Sequence, residues 1–332
     1  MNGPGCFRTV VSAAPAAVRI AAADPVLCIG SCFAEHIGAR LEERRFNVCL
    51  NPAGILFNPV SIAASLTRII EGRPYCRDDL FLHDGLWHSF DHHGGFSAPD
   101  PDVAVAAINE ALSRASLRCR SLHTLILTFG TAFVYTRADT GAVVANCHKL
   151  PHDRFVRTMV GVETVVETLQ PALDRLFAMR PALNLIMTVS PVRHLRDDPH
   201  ENSVSKSTLL LATDRLRARY PGAYYFPAYE IMMDDLRDYR FYEADMTHPS
   251  GAAADYIWRA FIGACVDPHA AAFIDEYEPV IRARGHRGRT ACAAAAGRFN
   301  ASIRTLIDGL ERKYPEIDFT ADKDRFADGA GR

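Results

Sequence analysis

Short apolar runs alternate with segments of helical periodicity along most of the chain. The first run, residues 26–29, ends at Gly30, after which Phe33, Ile37 and Leu41 recur every four positions. A continuous apolar run is typical of a strand buried on both faces, and the four-residue spacing predicts an amphipathic helix. The pattern therefore predicts a buried strand that passes directly into a helix.

The same alternation continues downstream and predicts the fold class. Further apolar runs predict strands at residues 46–50, 122–129, 185–189 and 223–226. Helical periodicity predicts helices at residues 61–70, 102–115, 162–177, 205–219 and 251–265. Strands that alternate with helices indicate an α/β fold with a mainly parallel sheet, whose functional residues gather beyond the carboxyl ends of the strands. Ser31, Gly130 and Ser190 occupy such positions.

Two segments depart from this alternation. Residues 71–100 are polar, aromatic and rich in His and Gly, which indicates an insertion or surface lobe. From residue 267 onward the character changes again, and we expect a helical appendage or a partly disordered extension with one helix at about 302–312. The predicted organisation is one domain over residues 1–266 followed by a C-terminal helical extension over 267–332.

Composition is that of an ordinary soluble globular protein. The 332 residues include 37 Lys and Arg against 39 Asp and Glu, so we expect no nucleic-acid partner and no anionic membrane surface. The Ala-rich N-terminal segment is interrupted by Arg8, Pro15, Arg19 and Asp24, so we expect neither a signal peptide nor a membrane span. Nine scattered cysteines fit a reducing cytoplasm better than a disulfide framework.

Ser31 lies at the join between the first predicted strand and helix. Unpaired N–H groups and the positive end of the helix dipole meet at such a position and favour negative charge. A serine there either caps the helix or acts as a nucleophile, and spacing alone leaves both roles open.

Asp245 and His248 supply the groups that a serine nucleophile needs. A serine hydroxyl requires a base to remove its proton, and the base requires a partner to hold its orientation. The spacing of three residues brings the carboxylate within reach of the imidazole. The alternative is an Asp that caps a turn next to a surface His.

Seven motifs in consistent order carry a family resemblance. The first reads Gly30-Ser31-Cys32-Phe33-Ala34, and the others lie at residues 51–54, 130–132, 147–149, 190–194, 225–230 and 245–249. Over roughly residues 26–261 the chain resembles the GSCFA family, a branch of the SGNH (GDSL-like) hydrolase superfamily. The resemblance implies a flavodoxin-like three-layer α/β/α domain in which Ser31 is the nucleophile, His248 the general base and Asp245 its orienting partner.

The resemblance also implies an oxyanion hole, with one departure. Ser31 and Gly54 fill two of its places through their N–H groups. The third place, an asparagine in the wider superfamily, is held here by Thr131, which donates through its hydroxyl or backbone unless Asn146 folds back to replace it. Loss of one oxyanion donor lowers rates about a hundredfold to a thousandfold.

Rival uses of neighbouring residues remain. Cys32 is an alternative nucleophile, although a residue one step into the helix is expected to point away from the site. A metal site built from Cys28, Cys32, Cys147 and His148 lacks the Cys-x-x-Cys spacing of structural zinc, so we expect no metal. We interpret four further histidines as residues of the surface or of a substrate lobe: His83, His88, His92 and His93.

Several cationic residues have two interpretations. Lys149, Arg193, His194 and Lys206 either contact an anionic or polyhydroxylated substrate or form internal salt bridges. No dinucleotide-binding or phosphate-loop motif follows a strand, so no cofactor is expected.

The sequence therefore predicts a serine esterase that forms an acyl-Ser31 intermediate on a small ester, such as an O-acylated carbohydrate. The alternatives are an O-acyltransferase that passes the acyl group to a sugar hydroxyl and a catalytically weak glycan-binding module. The oligomeric state is not predicted.

Overall fold

A computed structural model describes residues 8–194, 196–285 and 293–327 of the chain. Its strands are β1 (Val26–Gly30), β2 (Val48–Leu50), β3 (Phe81–His83), β4 (Leu86–His88), β5 (Thr124–Phe129), β6 (Phe133–Arg137), β7 (Val143–Val144), β8 (Phe155–Met159), β9 (Asn184–Val189) and β10 (Tyr224–Tyr225). Its helices are α1 (Cys32–Glu43), α2 (Pro59–Glu71), α3 (Pro101–Arg120), α4 (Val162–Met179), α5 (Pro199–Arg219), α6 (Ala228–Glu230), α7 (Gly251–Cys265), α8 (Pro268–Gly285), α9 (Ala293–Lys313) and α10 (Thr320–Arg325).

Five parallel strands form the central sheet in the order β10-β9-β5-β1-β2. Counted along the chain, this order is 2-1-3-4-5, which is the flavodoxin-like arrangement. β1 pairs with β5 from Val26 opposite Thr124 to Gly30 opposite Thr128. The chain changes direction across the sheet between these two strands, and ligands of such sheets bind at this switch point.

Helices cover both faces of the central sheet. On one face, α1, α7, α8 and α9 share a core that includes Ile37, Phe261, Phe273 and Ile307. On the other face, α2, α3, α4 and α5 enclose a second core. The predicted α/β/α fold with a mainly parallel sheet is confirmed.

The C-terminal helices contribute to the first of these cores. Asp322 of α10 is fully buried and accepts hydrogen bonds from Arg45 Nε (3.1 Å), Tyr277 Oη (2.5 Å) and Arg284 Nε (2.8 Å). Burial opposes ionisation of Asp322, but the hydrogen bonds from these three side chains outweigh it and lower the pKa. Ion pairs inside the core therefore anchor the described part of residues 267–332 to the segment after α1.

Residues 71–100 contain the β3–β4 hairpin, which packs beside a small antiparallel sheet of order β7-β6-β8. The ring of Phe81 stacks on that of Phe90, and both belong to an aromatic cluster that buries histidines. His88 and His92 are only 8% and 3% exposed. The interpretation of these two as surface residues is therefore wrong, because the lobe has its own packed interior.

Gly30 ends β1 in a conformation that only glycine adopts readily. Its φ is +150°, and a Cβ placed on it would lie 2.2 Å from the carbonyl oxygen of Thr128. The backbones of β1 and β5 meet here with no room for a side chain. This close approach sets the position of the next residue, Ser31.

We expect Gly30→Ala to lower the free energy of unfolding by more than about 2 kcal/mol, because the added methyl meets backbone atoms rather than a flexible side chain. Urea denaturation measures the change. Gly263→Ala is the matched control, since nothing lies within 4 Å of a Cβ there, and its exposed helical position predicts stabilisation of about 0.5–1 kcal/mol. Equal stability of Gly30→Ala and the wild type would contradict the steric argument.

Candidate active site

A cleft of about 600 Å³ opens at the carboxyl edge of the central sheet. Its walls come from the segments that follow β1, β2, β5 and β9 and from the loop before α7. The predicted site residues that line it are Thr131, Arg193, His194, Asp245 and His248. Cys32, the neighbour of Ser31, lines it as well.

Ser31 is the N-cap of α1, which confirms the capping interpretation. Its Oγ accepts a hydrogen bond from the Phe33 N–H at 3.4 Å, and its own N–H donates to the Thr128 carbonyl at 3.2 Å. The residue is 1% exposed. Among the hydrogen bonds of the described residues, none joins Ser31 to His248. Ser31 is not among the residues that line the cleft, and its N–H, predicted as an oxyanion donor, is bonded to Thr128 instead.

Asn51 holds the corner that contains Ser31. Its side-chain oxygen accepts a hydrogen bond from the Gly30 N–H at 2.9 Å, and its amide nitrogen donates to Glu35 of α1 at 2.7 Å. The Leu56 N–H donates to the Gly30 carbonyl at 2.9 Å. One side chain and one loop therefore fix both the end of β1 and the start of α1.

The loop after β2 also fixes the end of β5. The carbonyl of Phe57 accepts hydrogen bonds from the N–H groups of Gly130 and Thr131, at 2.8 and 3.0 Å. This contact places the Gly130-Thr131 turn next to Ser31, whose Cβ would lie 3.3 Å from a Cβ on Gly130. The two strand ends that form the switch point are thereby tied together by backbone contacts.

Asp245 and His248 form the predicted contact. His248 Nδ1 lies 2.6 Å from Asp245 Oδ2, and Asp245 Oδ1 accepts from the N–H groups of His248 and Thr247, each at 2.9 Å. These two backbone donors, followed by the imidazole, hold the pKa of Asp245 well below its usual range. The side chains of Asp245 and His248 are 46% and 51% exposed. The contact is present, and their catalytic roles remain predictions.

The structure does not bring Gly54 into this cleft, and its role as an oxyanion donor stays a prediction. Its N–H donates to the Asn51 carbonyl at 2.7 Å within a tight turn. Gly54 lines a neighbouring cleft with Glu35 and Asn51. A glycine is needed there because a Cβ would lie 2.3 Å from the Cβ of His93.

The two candidates for the missing asparagine differ in position. Thr131 lines the cleft, but its hydroxyl interacts with Ser205 at 3.2 Å and its N–H is engaged with Phe57. Asn146 lies outside the cleft lining and accepts a hydrogen bond from the His148 N–H at 2.9 Å. Lys149 is exposed and also lies outside the lining. The structure therefore does not bring Asn146 and Lys149 to the site.

His194 stands in the cleft wall, with its ring edge-to-face against Phe57 at a centroid distance of 5.6 Å. Burial, reinforced by the charge of Lys206, lowers the pKa of His194 to about 4. The imidazole is therefore neutral at physiological pH and contributes hydrogen-bonding capacity rather than charge.

Lys206 of α5 is buried beneath the cleft. Its Nζ donates to the carbonyls of Gly130 at 2.6 Å and Ser190 at 2.7 Å, so it bridges the ends of β5 and β9. Within the described part of the chain it forms no ion pair. The salt-bridge interpretation of Lys206 is therefore wrong, because its Nζ donates to two backbone carbonyls. The substrate-contact interpretation stays a prediction.

Cys32 lines the cleft instead of pointing away from it, which corrects the expectation for the first helical residue. Burial raises the pKa of its thiol, although nearby Lys206 acts in the opposite direction. A protonated thiol is a weak nucleophile. In the described segments, no three His, Cys, Asp or Glu side chains are grouped so that they could hold a metal ion.

Three cleft residues escaped the sequence reasoning: Arg157, Arg196 and Asp197. Arg157 projects from β8, lies over the Phe133 ring at 3.4 Å and pairs with Asp197. No motif marks Arg157, and its strand is joined to the site only by tertiary packing. Arg196 and Asp197 follow the motif at residues 190–194, and that proximity was the available signal.

The GSCFA family model matches residues 25–261. Comparison with curated proteins gave no match, and neither did comparison with solved structures. In the described portion of the chain, every helix is too short or too polar to cross a membrane.

We expect Lys206 to make stability depend on pH. Burial lowers the pKa of Lys206 from 10.5 to about 7. Between these values the unfolded chain holds a proton that the folded chain has released, so folded stability rises with pH by up to about 1.4 kcal/mol per unit. Below pH 7 both states hold the proton and this contribution is constant.

Urea denaturation between pH 6 and 10 tests this on the wild type and Lys206→Met. The stability of the wild type should rise relative to that of Lys206→Met above pH 7. Lys149→Met replaces an exposed lysine and should follow the wild type. Parallel pH curves for the wild type and Lys206→Met would contradict the buried-amine account.

Proposed function

The chain belongs to the GSCFA family, and we propose that it is an SGNH-type serine hydrolase that cleaves a carboxylic ester through an acyl-Ser31 intermediate. The observation that carries this proposal is the Asp245–His248 contact. The two residues line the same cleft as Cys32, which directly follows Ser31 in the chain. An O-acylated carbohydrate remains the proposed substrate type.

The proposed reaction begins with proton transfer from Ser31 Oγ to His248. Because Asp245 accepts from Nδ1, the His248 Nε2 atom is free to take the proton. Ser31 Oγ then bonds to the ester carbonyl carbon, and His248 returns the proton to the departing alcohol. Water repeats the sequence on the acyl-serine, which releases the carboxylic acid and restores both residues.

The start of α1 supports the negative charge that develops on the carbonyl oxygen. Ser31 caps this helix, so the positive end of the helix dipole lies at the reacting atom. No hydrogen bond joins Ser31 to His248 among the described residues, so the proposed proton transfer requires the two side chains to approach each other. Catalytic hydrogen bonds commonly tighten only when substrate is bound.

Two alternatives use the same cleft. An O-acyltransferase shares the first half-reaction and replaces water by a sugar hydroxyl. A glycan-binding module without turnover is favoured by one observation, the engagement of the Gly54 N–H with Asn51. An acceptor screen separates the first alternative from hydrolysis, and the Ser31 experiment below separates the second.

We expect Ser31→Ala to lower the rate of p-nitrophenyl acetate hydrolysis by about 10⁴-fold or more, because the nearby Cys32 thiol, whose pKa is raised by burial, is a weak replacement for the nucleophile. A fluorophosphonate probe should label Ser31 in the wild type, as peptide mass spectrometry can show. Ser302→Ala, which removes an exposed hydroxyl on α9, is the control and should keep the full rate. Equal rates for Ser31→Ala and the wild type would refute the proposal.

We expect Asp245→Asn to lower kcat by about 10³–10⁴-fold. The asparagine oxygen can still accept from the Thr247 and His248 N–H groups, so the loop should remain folded, but its amide cannot accept from Nδ1–H. Kinetics and the thermal midpoint measure the two effects separately. Asp255→Asn removes a partly exposed carboxylate of α7 that pairs with Arg40, and it should change neither. An Asp245→Asn enzyme with undiminished kcat would exclude the orienting role.

A further inference from the structure

The cleft contains arginines whose charge is not neutralised by carboxylates. Arg157 pairs with Asp197, whose side chain is 2% exposed. Arg193 and Arg196 also line the cleft, and across the described residues neither forms an ion pair with Asp or Glu. Asp197 pairs with Arg157 and also attracts Arg196 at longer range, so one carboxylate serves two arginines and Arg193 has no carboxylate partner among the described residues.

The hydrogen bonds of Arg193 and Arg196 go to neutral groups. Arg193 donates to the Asn202 side-chain oxygen at 3.3 Å and to the Met233 sulfur at 3.6 Å, and Arg196 donates to the Tyr135 hydroxyl. A guanidinium carries five N–H groups in a planar fork that matches carboxylate and phosphate oxygens. Each arginine thus keeps unused donors after its protein contacts are counted.

The other ionisable groups of the region do not cancel the charge of the arginines. Asp245, the other carboxylate in the lining, is engaged by His248 and two backbone N–H groups. Lys206 lies beneath the cleft with its Nζ bonded only to carbonyl oxygens. A cleft with low-dielectric walls concentrates the field of such groups and attracts an anion.

We propose that the substrate carries an anionic group, a carboxylate or a phosphate, which Arg193 and Arg196 bind beside the reacting ester. The aromatic rings of Phe57, Phe133 and Tyr135 line the same cleft and provide the apolar surface for the body of the ligand. The ester part of this inference rests on the proposed function, whereas the recognition of the anion rests on the two arginines alone.

Three non-acylating ligands that share a nitrophenyl ring test the inference by titration calorimetry on the full chain. 3-(4-Nitrophenyl)propanoic acid carries a carboxylate, 4-nitrobenzylphosphonic acid carries a phosphonate in place of a phosphate, and 3-(4-nitrophenyl)propan-1-ol is neutral. We expect at least one anionic ligand to bind about tenfold or more tightly than the neutral one, and the stronger of the two identifies the anion. Equal affinity for all three would overturn the inference.

Variants of the two arginines test whether the preference for anionic ligands comes from the cleft. Arg193→Gln combined with Arg196→Gln should reduce the ratio of anionic to neutral affinity to near one, because glutamine keeps a polar side chain without the charge. Arg215→Gln removes an exposed arginine that pairs with Glu163 on the outer surface, and it should retain the wild-type ratio. An unchanged ratio in the double variant would also overturn the inference.

The outcome is independent of turnover, because none of the ligands can acylate Ser31. A chain that binds the anionic ligand through the two arginines but hydrolyses no ester would refute the proposed function and leave anion recognition intact. A chain that hydrolyses p-nitrophenyl acetate through Ser31 but binds anionic and neutral ligands equally would support the proposed function and refute anion recognition.

Discussion

The contact between the ends of β1 and β5 is the constraint on which the site depends. Gly30 approaches the Thr128 carbonyl so closely that no side chain fits, and the Ser31 N–H donates to the same oxygen. The helix that starts at Ser31 is therefore placed by backbone geometry, with Asn51 holding both sides of the corner. A side chain positioned in this way has little freedom, which suits a group that must be presented at a fixed point.

The buried amine of Lys206 connects the ends of β5 and β9. Lys206 joins the Gly130 and Ser190 carbonyls, whose lone pairs would otherwise face a low-dielectric region without a donor. A neutral donor of the same length could satisfy these carbonyls without the penalty of a buried charge. Burial lowers the pKa of Lys206 to about 7, so the amine adds positive potential beneath the cleft chiefly when the pH is below that value. Burial and the charge of Lys206 both lower the pKa of the neighbouring His194.

The sequence predicted the fold well because apolar runs and helical periodicity report burial directly. α7 begins and ends at the residues predicted, whereas α3 and α5 begin earlier because Asp100 and Asp198 cap a proline at the first helical position. The Asp245–His248 contact could be predicted because the two residues are only three positions apart in the sequence. The structure places Gly54 and Asn146 outside the cleft and buries Lys206 beneath it. Backbone conformation and tertiary packing determine these positions, and neither can be predicted from local sequence. Arg157 could not be predicted either, because tertiary packing alone brings β8 to the cleft.

The proposed nucleophile and the proposed general base differ in exposure. Ser31 is buried while His248 is half exposed, so the imidazole is the member of the pair that has freedom to move. Ordering one such side chain costs about 0.5–1.5 kcal/mol. A positioned general base contributes about 10²–10⁴-fold in rate, equivalent to about 3–5 kcal/mol. The gain exceeds the cost of ordering the side chain, so the half-exposed position of His248 is compatible with its proposed role as general base.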